Sequence, residues 1–325
     1  MSLRSLGERM FHASGAIGAI RFRQRRRLRI LMYHRFPGPP EDVQARLKWQ
    51  CEHLRRYFHP VSLSQVARTW KSGGQLPANA LAITVDDGYR DFSVAAPIFQ
   101  SFGLKVAIFV VSGFLDRQVW LWTDEVKYLF ANTKMRNVEI AGVSYDLTAR
   151  ESRNRAEDRV EQIMIRMPDA DRRRILADLP RILQTAVPSQ LPEMYAPLSW
   201  QELKALQRDG IEVGAHTLTH PILSRLDTPE QVRAEIQGSK NRIEAALDAP
   251  VLHFCYPNGT KEDYDSRAVD CVREAGFETA VTTTAALNER DADLFQLSRI
   301  GVGPESHPAY FERVVAGYRL GKGLP

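Results

Sequence analysis

The chain has 325 residues, 26% charged and 44% hydrophobic, and a formal net charge of +5. A chain this long buries a substantial core in one large domain or two, and its three cysteines, Cys51, Cys255 and Cys271, contain no CxxC pair and argue against a disulfide framework. No stretch reaches the roughly 18 apolar residues of a membrane span; the expectation is a cytoplasmic protein, free or held at the inner membrane surface by basic residues.

The positive charge is uneven, with Arg21, Arg23, Arg25, Arg26, Arg27 and Arg29 within nine positions. Residues 1–28 therefore read as a basic N-terminal leader. Such arginines either attract phosphates, acidic lipid headgroups or nucleic acid, or form a solvated face. No nucleic-acid-binding module accompanies them, so peripheral membrane contact is retained as the partner reading and no nucleic acid is expected.

From residue 29 onward short apolar runs alternate with helical patterns, which predicts parallel β/α units and an α/β fold. RILMYH (29–34) predicts a strand and PGPP (37–40) a turn. Helices are expected over 47–57, 63–70 and 95–102, and strands over 81–85 and 105–111. Between about 116 and 196 the pattern changes to long charged helices, 150–166 and 170–184, with a hairpin around 138–147, and predicts an inserted helical subdomain. The β/α alternation resumes at SWQE (199–202), a capping box. Strand IEVGAH follows, and then a helix opened by Thr228, Pro229 and Gln231. Strand VLHFCYP, a helix over 264–275, a strand near 279–282, strand FQLSRIGV and a helix over 308–318 complete the chain.

Two short strings carry chemistry. TVDDG (84–88) ends a strand, where α/β barrels and open sheets place catalytic loops. Asp-Asp-Gly is also ordinary turn chemistry, but adjacent carboxylates at a strand terminus point in different directions. HTLTH (216–220) presents histidines four apart, which suits a helix face or satisfied core groups equally, although Pro221 and the preceding strand argue for a loop. It lacks the Glu of HExxH peptidases. Together the strings supply three ligands for a divalent ion, Asp87, His216 and His220, with a position open for water. They leave one spare carboxylate, Asp86, as a general base.

The same residues carry a family resemblance. TVDDG resembles the TFDDG first motif of the polysaccharide deacetylases (carbohydrate esterase family 4, the NodB-homology domain). HTLTH resembles the H(S/T)xxH second motif and FCYPNG (254–259) the third, in the right order. LMYH (31–34), WLWTDE (120–125), LSWQEL (198–203) and LSRIGV (297–302) are similar to the FxYPxG branch, so the resemblance covers about 29–312. It implies a distorted (β/α)7-type barrel and removal of an N-acyl group from an amino sugar. Zinc is the implied metal, with cobalt or nickel suited to similar ligands. A backbone N–H of the YPNG turn, that of Asn258, is expected to hold the oxyanion.

An amide also needs a general acid, and here the chain departs from the better-known branch. Cys255 replaces the Arg before the third-motif turn, and neither a DxxDW nor a late LxxH motif is present. His34, matched by a His in the FxYPxG branch, is the candidate acid and His307 the runner-up; either is as readily structural. Arg299 is expected to orient Asp86 in place of the missing Arg, and Cys255 to be a small buried core residue. Tyr33 and Tyr256 are candidates to line a sugar cleft, Trp120, Trp122 and Trp200 to stack on sugar rings or simply pack, and Asp124 to contact a sugar hydroxyl. The expected function is N-deacetylation in surface polysaccharide or glycolipid biosynthesis, on a lipid-linked intermediate. The alternatives are deformylation of a lipid-linked formamido sugar and a non-catalytic glycan-binding or assembly role.

Overall fold

A computed structural model of the protein describes residues 15–318 and residue 320. Its ten strands are β1 (Arg29–Tyr33), β2 (His59–Pro60), β3 (Ala80–Val85), β4 (Val106–Val110), β5 (Asn137–Ile140), β6 (Val143–Asp146), β7 (Glu212–Ala215), β8 (His253–Cys255), β9 (Thr279–Val281) and β10 (Ile300–Gly301). The main sheet runs β10-β1-β3-β4-β7-β8-β9, with β2 beside β3, and every pairing in it is parallel. β3 and β4 are buried at every position, as their unbroken apolar runs ALAITV and VAIFV require of strands covered on both faces. The sheet curls into a barrel of the expected (β/α)7 type.

Several expected boundaries move. The run after PGPP is helical from Pro40 to Tyr57, seven residues earlier than expected, because Pro40 stands at the first helical position, where its missing N–H costs nothing. The strand expected over FQLSRIGV shrinks to Ile300–Gly301. Leu297 instead bridges to Val281 of β9, while Leu31 and Met32 of β1 pair with Ile300 and Gly301. One segment thus touches both open edges of the sheet and closes the barrel, which leaves it too few positions for a continuous ladder. The capping boxes of Ser199 with Glu202 and of Thr228 with Gln231 form as expected.

Of the expected leader, residues 1–14 lie outside the described residues. Ala16–Arg23 is a helix, and the Leu28 amide and carbonyl exchange hydrogen bonds with Asn288 (2.9 and 3.0 Å). Arg29 is fully buried: its Nε donates to the Val315 carbonyl (2.7 Å) at the end of the last helix, Pro308–Ala316. Residues 122–183 build a core of their own, with helices Trp122–Asn132, Arg150–Arg166 and Asp169–Ile182 and the antiparallel β5–β6 hairpin packed around Trp122, Leu129, Val160 and Leu179. Ile222, two residues beyond HTLTH, belongs to that same core.

At the base of the barrel, Glu212 opens β7 and its carboxylate accepts the Leu63 and Ser64 amides (2.8 and 3.1 Å) at the start of helix Leu63–Lys71. Burial opposes ionisation there, but His253 and Ser64 outweigh it and pull the carboxyl down from 4.5 to about 2. A depressed carboxyl stabilises the fold above its unfolded pKa and loses that contribution as pH falls through the folded value. Glu212→Gln is therefore expected to flatten the stability profile between about pH 4.5 and pH 2, a window of about 3 kcal/mol. Denaturant midpoints across that range check it.

Candidate active site

The C-terminal ends of the strands deliver the site. Asp86 and Asp87 follow β3, His216 follows β7, His34 follows β1 and Asn258 lies just beyond β8. They border a cleft of about 490 Å³, which His220, Tyr256, Tyr89, Asp124 and Lys127 also line. The backbone is strained around it: Asp87 (φ 76°), Thr217 (φ 68°), His220 (φ 59°) and Asn258 (φ 57°) are all left-handed. For a β-branched residue such as Thr217 that conformation is a true outlier, and strain of this kind concentrates at functional sites. Hydrogen bonds hold it. The Thr217 hydroxyl accepts the His220 amide (3.0 Å), and the Glu235 carboxylate accepts the Leu218 and Thr219 amides (both 2.9 Å).

Asp87, His216 and His220 converge. Asp87 Oδ1 lies 3.5 Å from His216 Nε2 and 3.6 Å from His220 Nε2, and the two imidazole nitrogens are 3.2 Å apart. A tetrahedral ion with bonds of about 2.0–2.1 Å has ligand-to-ligand edges of about 3.3–3.4 Å, so the three donors have the spacing that zinc asks for. His216 Nδ1–H donates to the Cys255 carbonyl (2.7 Å), which fixes the tautomer and leaves Nε2 a bare lone pair. Nε2 of His220 faces that lone pair at 3.2 Å, a distance that suits a shared proton or a cation between the two rings. Burial and the neighbouring His216 push His220 down to about 3, and its buried Nδ1 has no hydrogen-bond partner. Burial of Asp87 works against its charge, but the surrounding imidazoles hold its carboxyl below the usual range. The chemistry and spacing of these residues fit a divalent metal.

Asp86 faces the other way. Arg299 grips it with two parallel bonds, Nη1 to Oδ1 and Nη2 to Oδ2, both 2.7 Å. Arg299 is fully buried and is itself held by the Thr282 carbonyl (2.8 Å) and the Thr84 hydroxyl (3.0 Å). Burial raises the Asp86 carboxyl, but Arg299 and then His34 outweigh it and keep the group ionised. His34 Nε2 stands 3.6 Å from Asp86 Oδ2, with its side chain 45% exposed to the cleft. Asp86, His216 and Cys255 form a second cluster with metal-ligand types. It suits an ion poorly, because Asp86 is committed to Arg299 and burial pushes the Cys255 thiol up, despite Arg299 Nη2 at 3.2 Å.

Other expected site residues lie elsewhere. His307 caps helix Pro308–Ala316, its Nδ1 accepting the Ala309 amide (3.2 Å), and does not line the cleft. Trp122 is buried in the core of residues 122–183 under the Arg172 guanidinium, 5.2 Å from its ring. Trp200 Nε1 donates to Asp116 (2.8 Å), and Trp120 packs on Tyr128 and Tyr195. For these tryptophans packing outcompetes exposure. Tyr33 donates to Gln50 (2.7 Å) and stacks in the core against Phe36. Tyr256 does line the cleft, but its hydroxyl donates to the Phe295 carbonyl (3.0 Å) and its ring stacks on Tyr264. The Asn258 N–H has no backbone or side-chain acceptor among the described residues.

Sequence reasoning missed Tyr89, Arg35 and Lys127. Tyr89 donates to Asp124 beside the cleft, and the Arg35 guanidinium lies 3.9 Å above the Tyr89 ring while binding Asp91 (2.8 Å). Burial and the Asp87 charge push the Asp124 carboxyl up against that hydrogen bond. The position of Tyr89 directly after TVDDG, and of Arg35 directly after His34, was the available signal.

A parallel barrel whose carboxylates and imidazoles converge on the C-terminal rim is an arrangement suited to a barrel hydrolase. The chain belongs to the polysaccharide deacetylase family, whose model matches residues 73–280, and the family hydrolyses N-acetyl amide bonds. YxkH of Bacillus subtilis, described as a polysaccharide deacetylase, is 20% identical over 86% of this chain and 72% of its own length. Among solved structures the fold is similar to the Streptococcus pyogenes deacetylase PplD in complex with acetate (TM-score 0.59, 17% identity, 89% of this chain and 98% of that one). It is similar also to the deacetylase domain of BpsB from Bordetella bronchiseptica (TM-score 0.54, 15% identity, 86% and 96%).

Proposed function

We propose that the protein is a metal-dependent N-deacetylase of an amino sugar, acting in surface polysaccharide or glycolipid biosynthesis. The observation that carries this reading is the opposite commitment of two adjacent carboxylates: Asp87 Oδ1 faces two imidazoles at 3.5 and 3.6 Å, while Asp86 is locked to Arg299. Asp87, His216 and His220 hold the ion. Bound there, a divalent ion, zinc in the first instance and cobalt or nickel by similar chemistry, supplies Lewis acidity to the acyl carbonyl and lowers the pKa of water.

The remaining steps belong to the chain. Asp86, oriented by Arg299, takes the proton of the attacking water. The Asn258 N–H donates to the acyl oxygen as it becomes negative. His34, which shares the cleft and lies 3.6 Å from Asp86, gives a proton to the departing amine nitrogen. A lipid-linked intermediate is one substrate class to test, although the arginine run lies at the other end of the barrel from the cleft. PplD and BpsB, the structural neighbours, are themselves deacetylases by description, which favours acetyl over formyl.

The test is metal content together with acetate and formate release from N-acylated sugars and their lipid-linked forms. Wild type is expected to carry one ion per chain and release acetate, while His216→Ala loses both. A protein that purifies and reconstitutes without metal sinks the reading, and formate without acetate moves it to deformylation.

A further inference from the structure

At the end of the barrel opposite the catalytic rim lies a second concavity of about 410 Å³, formed by the Arg23–Arg27 segment, the approach to β3 and the loop after β9. Five arginines line it, Arg23, Arg25, Arg26, Arg27 and Arg290, against a single carboxylate, Glu289. Glu289 pairs with Arg27. Three of the others bond to neutral groups: Arg26 Nη1 donates to Gln75 Oε1 (2.8 Å), Arg25 Nη1 to the Phe22 carbonyl (2.9 Å) and Arg290 to the Gly73 carbonyl. No ion pair to Arg23, Arg25, Arg26 or Arg290 forms among the described residues. Among the described residues, four positive charges are gathered around one groove without a carboxylate partner.

The gathering is built into the fold. The Asn79 amide donates to the Arg25 carbonyl (2.6 Å), the Arg27 amide to the Gln24 carbonyl (3.0 Å), and Leu28 is bonded to Asn288 in both directions. Trp70 and Leu76, which wall the groove, pack on the core beneath β1 and β3. The backbone that carries the arginines is therefore held in place and keeps their side chains around one groove. Planar guanidinium forks match phosphate oxygens in pairs, and a concavity lined by one sign of charge concentrates its counter-ion.

We propose that this groove binds a phosphate-bearing anion of about the size of a diphosphate. The volume lies within the range of small-ligand sites. None of the rim residues takes part, so the inference stands or falls apart from the hydrolytic reading. Two sources present the same chemistry, a soluble diphosphate and the headgroups of an anionic bilayer. Phe22, 64% exposed beside the groove with Arg25 over its ring at 3.9 Å, separates them, because only a bilayer rewards its burial.

The experiment titrates the full chain with inorganic pyrophosphate by calorimetry, and in parallel sediments it with phosphatidylcholine vesicles with and without phosphatidylglycerol. The variants are Arg23→Ala/Arg26→Ala and Phe22→Ala, all at exposed positions, with melting temperature as the folding control. The double variant is expected to weaken binding by about tenfold or more. Loss in the pyrophosphate arm, with Phe22→Ala unaffected, supports a soluble ligand. Loss in the phosphatidylglycerol arm, shared by Phe22→Ala, supports the bilayer. Failure to bind in both arms, or binding that the double variant retains, overturns the proposal.

Discussion

Asp86→Asn is expected to keep the metal and to lower turnover by about 10²- to 10⁴-fold, the contribution of a positioned general base. The substitution preserves shape and leaves one oxygen to accept from Arg299; it removes the capacity to take a proton, and it also costs stability because the buried guanidinium loses its counter-charge. Metal content and turnover are therefore expected to separate in this variant, whereas they fall together in His216→Ala. The separation follows from geometry: Asp87 reaches both histidines, and Asp86 is turned into a buried arginine. Loss of the ion from Asp86→Asn would make Asp86 a ligand and remove the base from the reading.

Arg299→Met is expected to have the second large effect, on stability and on the pH profile at once. Arg299 and Asp86 are both essentially inaccessible to solvent and share two bonds of 2.7 Å. Removing one partner of such a pair leaves a buried charge uncompensated and costs about 3–5 kcal/mol, readable from the denaturant midpoint. Asp86→Asn/Arg299→Met is expected to recover part of that loss, since no orphan charge remains. The pH profile discriminates positioning from mere structure. Burial alone raises the Asp86 carboxyl and Arg299 lowers it, so without the guanidinium the acid limb of activity should move to higher pH. An unshifted limb in a folded Arg299→Met enzyme would assign the arginine to stability alone.

The candidate metal-ligand set was legible because its residue types and strand-end placement are local properties. A strand followed by DDG fixes where two carboxylates emerge, and HTLTH brings its own loop. Arg299 was suggested only by its neighbourhood in the chain, yet it meets Asp86 across 213 positions, a distance that no periodicity reports. The tryptophans show the limit from the other side. WLWTDE and LSWQEL hold aromatic residues beside the cleft in sequence, but Trp122 turns into the core of residues 122–183 and Trp200 toward Asp116. Which face of a helix finds packing partners is decided by the surrounding fold. The same holds for the strand ends: FQLSRIGV has strand composition throughout, and only its division between two sheet edges shortens it to Ile300–Gly301.

Ile222 ties the histidine loop to the core of residues 122–183, and the Gly113 backbone lies so close to this loop that an added Cβ would sit 2.6 Å from the Leu218 carbonyl oxygen. The consequence concerns inheritance. A lineage is free to vary Thr123 and Lys127, through which that segment lines the cleft, and so to change what carbohydrate enters it. It is not free to discard the segment, because a deletion would strip Ile222 of its neighbours and loosen the loop that carries both histidines. Diversification of substrate and preservation of chemistry are therefore exposed to selection through one shared hydrophobic joint.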